Sequence, residues 1–205
     1  MQKITKNTYL KWYEDMLFWR KFEDKLAAVY IQQKVRGFLH LYNGQEAVLA
    51  GALHVMEKND KMITAYRNHV QPIGLGVDPK RIMAELMGKK VGYCQGKGGP
   101  HLADRENNLF LRVGIQGSYL SLAAGIGLGL KMQHSRNVCL CLFGDGSSNA
   151  GYAHEGMNIA ATNKLPVIYF VENNLYAMWT PYQETTSVAD IADRALGYDM
   201  PGYIV

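Results

Sequence analysis

Residues 138–174 restrict the fold more than any other part of this chain, because they read as strand, helix, strand with polar turns at both strand ends. Val138-Cys139-Leu140-Cys141-Leu142-Phe143 is an unbroken apolar run ending at Gly144, which suits a strand buried on both faces. After Gly144-Asp145-Gly146-Ser147-Ser148-Asn149, the spacing of Ala153, Met157, Ala160 and Ala161 predicts a helix over 152–164, with His154, Glu155, Asn158 and Asn163 mostly elsewhere around it. Leu165 and Pro166 end it, and Val167-Ile168-Tyr169-Phe170-Val171 is a second apolar strand closed by Glu172-Asn173-Asn174. Such a crossover lays two parallel strands side by side, almost always right-handed. Asp145 and Asn174 therefore leave neighbouring strands at the same sheet edge.

An aspartate carboxylate, an asparagine carbonyl oxygen and a main-chain carbonyl just beyond it are hard ligands. They suit Mg²⁺, which completes an octahedral shell with phosphate oxygens and water, so the set points to a diphosphate. Gly146 lets backbone approach an anion, and Ser147 is expected at a helix N-terminus, where free N–H groups and the dipole favour negative charge. Taken singly, Gly-Asp-Gly reads first as an ordinary turn and Asn-Asn as an ordinary loop. The pairing at the carboxyl ends of consecutive strands favours a site.

A chain of 205 residues with 48% hydrophobic content can bury one sizeable core. A single α/β domain is expected, with 1–60 a helical segment packing on the core and 61–205 a parallel sheet flanked by helices. The net charge of +4 comes without a dense basic tract, which argues against nucleic acid, and no apolar run approaches a membrane span. A cytoplasmic protein fits. The 3 cysteines are an odd number, with Cys139 and Cys141 on one face of a strand, so core packing is favoured over a disulfide or metal site.

Residues 8–33 read as a long helix whose aromatic side chains serve a core or a subunit interface, and 44–56 as a second, with a structural His54. Thr64-Ala65-Tyr66-Arg67-Asn68-His69 puts an arginine beside an aromatic, as suits a phosphate-facing loop, although taken alone the segment reads first as solvent-exposed Arg and His. A helix follows around 79–87. The Gly-rich run 92–101 reads as a connection and does not match the Walker loop, since Lys97 lacks a following Ser or Thr. Glycines 125, 127 and 129 in an apolar helix over 122–130 weaken it unless they serve close packing, which favours an oligomer.

Gly44-Gln45-Glu46-Ala47, Tyr66-Arg67-Asn68-His69, Ala84-Glu85-Leu86-Met87-Gly88-Lys89, Gly96-Lys97-Gly98-Gly99, Gly114-Ile115-Gln116-Gly117 and the Gly-Asp-Gly/Asn-Asn pair occur in one order. Together they resemble the alpha subunit of the pyruvate dehydrogenase and acetoin dehydrogenase class of 2-oxo-acid dehydrogenase components. The resemblance implies a thiamine-diphosphate-binding fold with thiamine diphosphate and Mg²⁺ as cofactors. It implies that Tyr66 and Arg67 approach the diphosphate, with Gly146 and Ser147 completing the cradle. Gly114 and the main chain of Gln116 would contact the aminopyrimidine, and Asp145, Asn174 and the carbonyl of Tyr176 would ligate the metal.

The same resemblance implies that the cofactor lies between alpha and beta subunits of a heterotetramer, the beta subunit giving the glutamate that activates the aminopyrimidine. It implies oxidative decarboxylation of a 2-oxo acid, pyruvate first and acetoin as the rival substrate, with acyl transfer to a lipoyl-bearing acyltransferase. A non-catalytic cofactor-binding or assembly subunit is the other alternative. Gly98-Gly99-Pro100-His101-Leu102 and Gly114-Ile115-Gln116-Gly117-Ser118 depart from the usual pattern, which leaves substrate selection open, and Trp179 stands where small residues are usual, so a narrower or differently shaped channel is expected. The chain stops as another apolar strand begins at Gly202-Tyr203-Ile204-Val205, and is expected to be C-terminally incomplete.

Overall fold

The computed structural model describes residues 4–99, 103–104, 106–112 and 114–205. Pro100, His101 and Leu102, where the Gly-rich loop departs from the family pattern, lie outside them. In chain order the elements are α1 (Lys6–Ile31), α2 (Glu46–Val55), β1 (Lys61–Thr64), α3 (Gln71–Gly74), α4 (Pro79–Leu86), β2 (Leu109–Arg112), α5 (Ser118–Met132) and β3 (Cys139–Gly144). A 3-10 turn (Asp145–Asn149), α6 (Gly151–Thr162), β4 (Val167–Glu172), β5 (Tyr176–Ala177), β6 (Thr180–Pro181), α7 (Tyr182–Thr185) and a second 3-10 segment (Ile191–Tyr198) follow. Among the described residues no helix is long and apolar enough to cross a membrane.

The chain forms two compact units, Met1–Lys58 with Tyr66–Arg112, and Asn59–Ala65 with Val113–Val205. These do not follow a division at residue 60. Residues beyond 66 join the N-terminal helices through buried polar bonds that no local pattern announces. His69 Nδ1 lies 3.1 Å from Glu23 Oε1, both side chains being fully buried, and the same Glu23 oxygen accepts the Tyr42 amide at 3.3 Å.

In the first unit α1 starts earlier than its apolar spacing predicts, because Thr5 and Thr8 cap each other reciprocally. Trp19, Phe22, Leu26 and Val29 are buried, whereas Tyr9, Leu10, Tyr13, Leu17 and Phe18 are exposed. The Gly-rich run after α4 is built, not slack. Glu85, fully buried, accepts the amides of Cys94, Gly96 and Gly98 at 2.7, 2.9 and 2.7 Å. Gly92 sits so close to Glu85 that a Cβ there would meet its Cα at 2.5 Å.

In the second unit β1, β3 and β4 form a parallel sheet in that order, with Thr64 opposite Leu142 and Gly144 opposite Glu172. The expected α/β class is found. Residues 139–143 of β3 are buried throughout, as an apolar run without alternation requires, while β4 is half-exposed and Ile168 keeps 49% of its surface. Helices α5 and α6 pack together, and Gly156 is the reason they can. A Cβ there would lie 2.7 Å from the Ser121 amide nitrogen. Gly127 likewise makes room for Val167 and Leu165, whereas Gly125 and Gly129 face open space.

Candidate cofactor and metal site

The register of the sheet fixes where the two motifs emerge. Gly144 pairs with Glu172, so Asp145 and Asn173 are the first residues past the carboxyl ends of adjacent parallel strands. Ligand sites in open α/β sheets form at this edge. Asp145 is 2% exposed and Ser148 fully buried.

Past β4 the chain makes two successive turns. The Leu175 amide donates to Asn173 Oδ1 at 3.1 Å and the Tyr176 amide to Asn174 Oδ1 at 3.2 Å. Leu175 stands between them at φ 68, a left-handed conformation that a leucine adopts only at a cost. Asn174 and Tyr176 thus sit on one tightly wound turn, continued by the β5–β6 hairpin. Trp179 projects from the hairpin tip with 90% of its surface exposed.

Two glycines bring three segments together. A Cβ on Gly146 would lie 2.6 Å from Ala177 Cβ, so only glycine lets the Asp145 turn approach β5. Gly117, at φ +85, would set a Cβ 2.4 Å from Ala150 Cβ, which brings 114–117 against the same turn from another side. There Gln116 Oε1 accepts the Ser147 hydroxyl at 3.1 Å and the Tyr119 hydroxyl at 3.2 Å. Gln116 Nε2 donates to the Gly114 carbonyl at 3.3 Å. Gly114, Gln116, Gly146 and Ser147 are therefore gathered around the Asp145 turn, and the turn that carries Asn174 and Tyr176 meets it at Ala177.

Ser147 does not stand at the N-terminus of a long helix, contrary to the expectation. Asp145–Asn149 is a 3-10 turn, and Ala150, extended at φ −72 and ψ 141, separates it from α6. Short polar side chains bond their own backbone here, as the Ser148 hydroxyl does to the Asp145 carbonyl at 2.6 Å, and that competes with continued helix. What Ser147 offers is a hydroxyl held by Gln116 and Tyr119 instead of a dipole.

Tyr66 and Arg67 belong to the other unit. Arg67 Nη1 donates to the Leu41 carbonyl at 2.6 Å, and its guanidinium lies 5.3 Å from the centre of the Tyr66 ring. His40, which the sequence reading missed, packs edge-on against Tyr66 at 4.5 Å. Nothing in Gly37-Phe38-Leu39-His40 signals that contact. Tyr119 and Arg194 were missed as well, because each reaches the turn from a distant part of the chain.

Among the described residues no three His, Cys, Asp or Glu side chains cluster as a metal site would require of them. The donors at hand are one carboxylate with amide and main-chain oxygens. Such a set fits a hard divalent cation that shares its shell with phosphate and water, and does not fit zinc. Burial pushes the Tyr182 hydroxyl above its usual range, with Asp145 adding to the shift and Arg194 opposing it.

A family model described as the dehydrogenase E1 component matches residues 14–205. The chain is 41% identical over 203 residues to the acetoin:2,6-dichlorophenolindophenol oxidoreductase alpha subunit of Bacillus subtilis, covering 98% of this chain and 61% of that protein. It is 39% identical over 204 residues to the pyruvate dehydrogenase E1 alpha subunit of Rhizobium meliloti, covering 99% and 59%. The chain thus spans about three fifths of the length of these relatives. A solved structure of a thiamin diphosphate-dependent enzyme from Mycobacterium smegmatis aligns with 74% of this chain and 24% of that one, at TM-score 0.45 and 19% identity.

Proposed function

As this chain belongs to the dehydrogenase E1 component family, we propose that it is the alpha subunit of a thiamine-diphosphate- and Mg²⁺-dependent 2-oxo-acid dehydrogenase component. Pyruvate is the favoured substrate. The observation that supports this reading is that Asp145 and Asn173 follow the carboxyl ends of adjacent parallel strands, with the Asp145 turn packed against Ala177 where only Gly146 leaves room.

In this reading Asp145, Asn174 Oδ1 and the Tyr176 carbonyl hold Mg²⁺, and Ser147 with the Gly146 backbone receives the diphosphate. The family resemblance gives Tyr66 and Arg67 a diphosphate-facing role as well, and Gly114 with the Gln116 main chain orients the aminopyrimidine. Bound thiamine diphosphate supplies the nucleophilic carbon and the electron sink that decarboxylation of a 2-oxo acid needs. The chain's own share is to anchor, orient and exclude water. A beta subunit completes the site with a carboxylate in a heterotetramer, and a lipoyl-bearing acyltransferase accepts the acyl group.

A second reading, an acetoin dehydrogenase alpha subunit, is favoured by the 41% identity to the Bacillus subtilis protein. A substrate panel on the chain assembled with its beta partner separates the two. Release of carbon dioxide from pyruvate with acyl transfer to a lipoyl domain supports the first. Consumption of acetoin without pyruvate turnover supports the second, and turnover of neither leaves a non-catalytic subunit.

A further inference from the structure

Arg194 lies in the second 3-10 segment, 49 positions beyond Asp145 in the sequence, and no motif marks it. Among the described residues its guanidinium makes three bonds, all to the turn that follows β3. Nη1 donates to the Ser148 carbonyl at 2.7 Å and to the Ser148 hydroxyl oxygen at 3.0 Å, and Nη2 donates to Asn149 Oδ1 at 2.6 Å. The Ser148 hydroxyl in turn donates to the Asp145 carbonyl at 2.6 Å. A hydroxyl has one proton and two lone pairs, so accepting from arginine while donating to Asp145 uses it consistently.

From this chain of bonds we infer that Arg194 is a positioning residue for the Asp145 turn, acting through Ser148. The inference rests on the Mg²⁺ reading above. A cation donating to the Ser148 oxygen polarises its O–H and strengthens the bond to the Asp145 carbonyl. That bond fixes the peptide from which the Asp145 carboxyl projects. The forked guanidinium also sets Ser148 and Asn149 relative to each other, which a point charge on lysine cannot do with the same geometry. Asn149 extends the tie, donating from Nδ2 to Thr186 Oγ1 at 3.0 Å, while His154 bonds the Tyr198 hydroxyl. The 186–198 segment is thereby strapped over the turn and the first part of α6. Ser148 is fully buried, so losing its partners cannot be made good by bulk water.

The test compares wild type, Arg194→Ala, Arg194→Lys and Asp145→Asn, each assembled with its partner subunit. It reads the Mg²⁺ concentration needed for half-maximal thiamine diphosphate binding by calorimetry, and amide exchange across 145–150 and 186–198. Arg194→Ala is expected to raise the Mg²⁺ requirement by about 10–100-fold, the usual loss when a ligand's supporting partner is removed. It is also expected to speed exchange in 145–150. Arg194→Lys should recover part of the affinity, and added guanidinium ion, but not ammonium, should restore Arg194→Ala. A result in which 186–198 loosens while the Mg²⁺ requirement and 145–150 stay at wild-type levels overturns the inference, since Arg194 would then merely hold the strap. Should Asp145→Asn leave Mg²⁺-dependent binding unchanged, the underlying metal reading fails instead.

Discussion

The hydroxyl oxygens of Tyr119 and Ser147 lie 2.5 Å apart, one carried by α5 and the other by the turn after β3, and both reach Gln116 Oε1. Tyr119 is fully buried, so its hydroxyl has no water to fall back on. Tyr119→Phe should destabilise the fold by about 1 kcal/mol, the typical net worth of such a bond. Urea denaturation measures this, and amide exchange at Ser147 should rise with it. A variant as stable as wild type would show that the triad contributes nothing.

Glu85 is the post around which the Gly-rich loop is wound. Glu85→Ala leaves three amides without their acceptor and should cost at least about 2 kcal/mol, with Glu85→Gln milder because its carbonyl oxygen still accepts. Trypsin reports on the loop directly, since Lys97 is exposed within it. Faster cleavage at Lys97 is expected in Glu85→Ala, and an unchanged rate would mean the loop holds its form without Glu85.

Gly146→Ala places a methyl group 2.6 Å from Ala177 Cβ. The hairpin must move off the turn, at a cost of about 1–3 kcal/mol for such overpacking. Thiamine diphosphate binding should fall by more than the loss of stability accounts for. Gly144→Ala is the control, because a Cβ there meets nothing within 4 Å.

Alkali should destabilise the second unit. Burial pushes the Cys139 thiol up from its ordinary 9.0 to about 12, and burial raises Cys141 and Tyr169 in the same sense. The folded state keeps a proton that the unfolded state releases between those values. The Cys139 contribution is therefore complete below pH 9.0 and is lost as pH rises toward about 12. Melting temperatures across that range should fall steadily. At pH 8 a thiol reagent should modify Cys94 before either strand cysteine, since Cys139 and Cys141 are both buried.

The strand–helix–strand unit was legible because an apolar run without alternation, a helical period and a proline stop are local signals. Asp145 and Asn174 could be assigned to one edge because a helix crossover makes its two strands parallel. What escaped was everything made by distant partners. Glu23 stands among the many charges of the α1 sequence and nothing local marks it, yet it is buried against His69, 46 positions on. The run after Glu85 reads as a slack connection because three backbone amides on one carboxyl leave no trace in side-chain identity. Ser147 was misread as a helix N-terminus because Ser-Ser-Asn suits a cap and a 3-10 turn equally.

Calorimetric titration of thiamine diphosphate, with and without Mg²⁺, into wild type and Asp145→Ala assembled with the partner subunit tests the central claim most directly. Wild type should bind only with Mg²⁺, and Asp145→Ala should lose more than the roughly 10–100-fold that removal of a ligand's supporting partner costs. Binding indifferent to Mg²⁺ or to the substitution would contradict the assignment of this turn as the metal–diphosphate anchor.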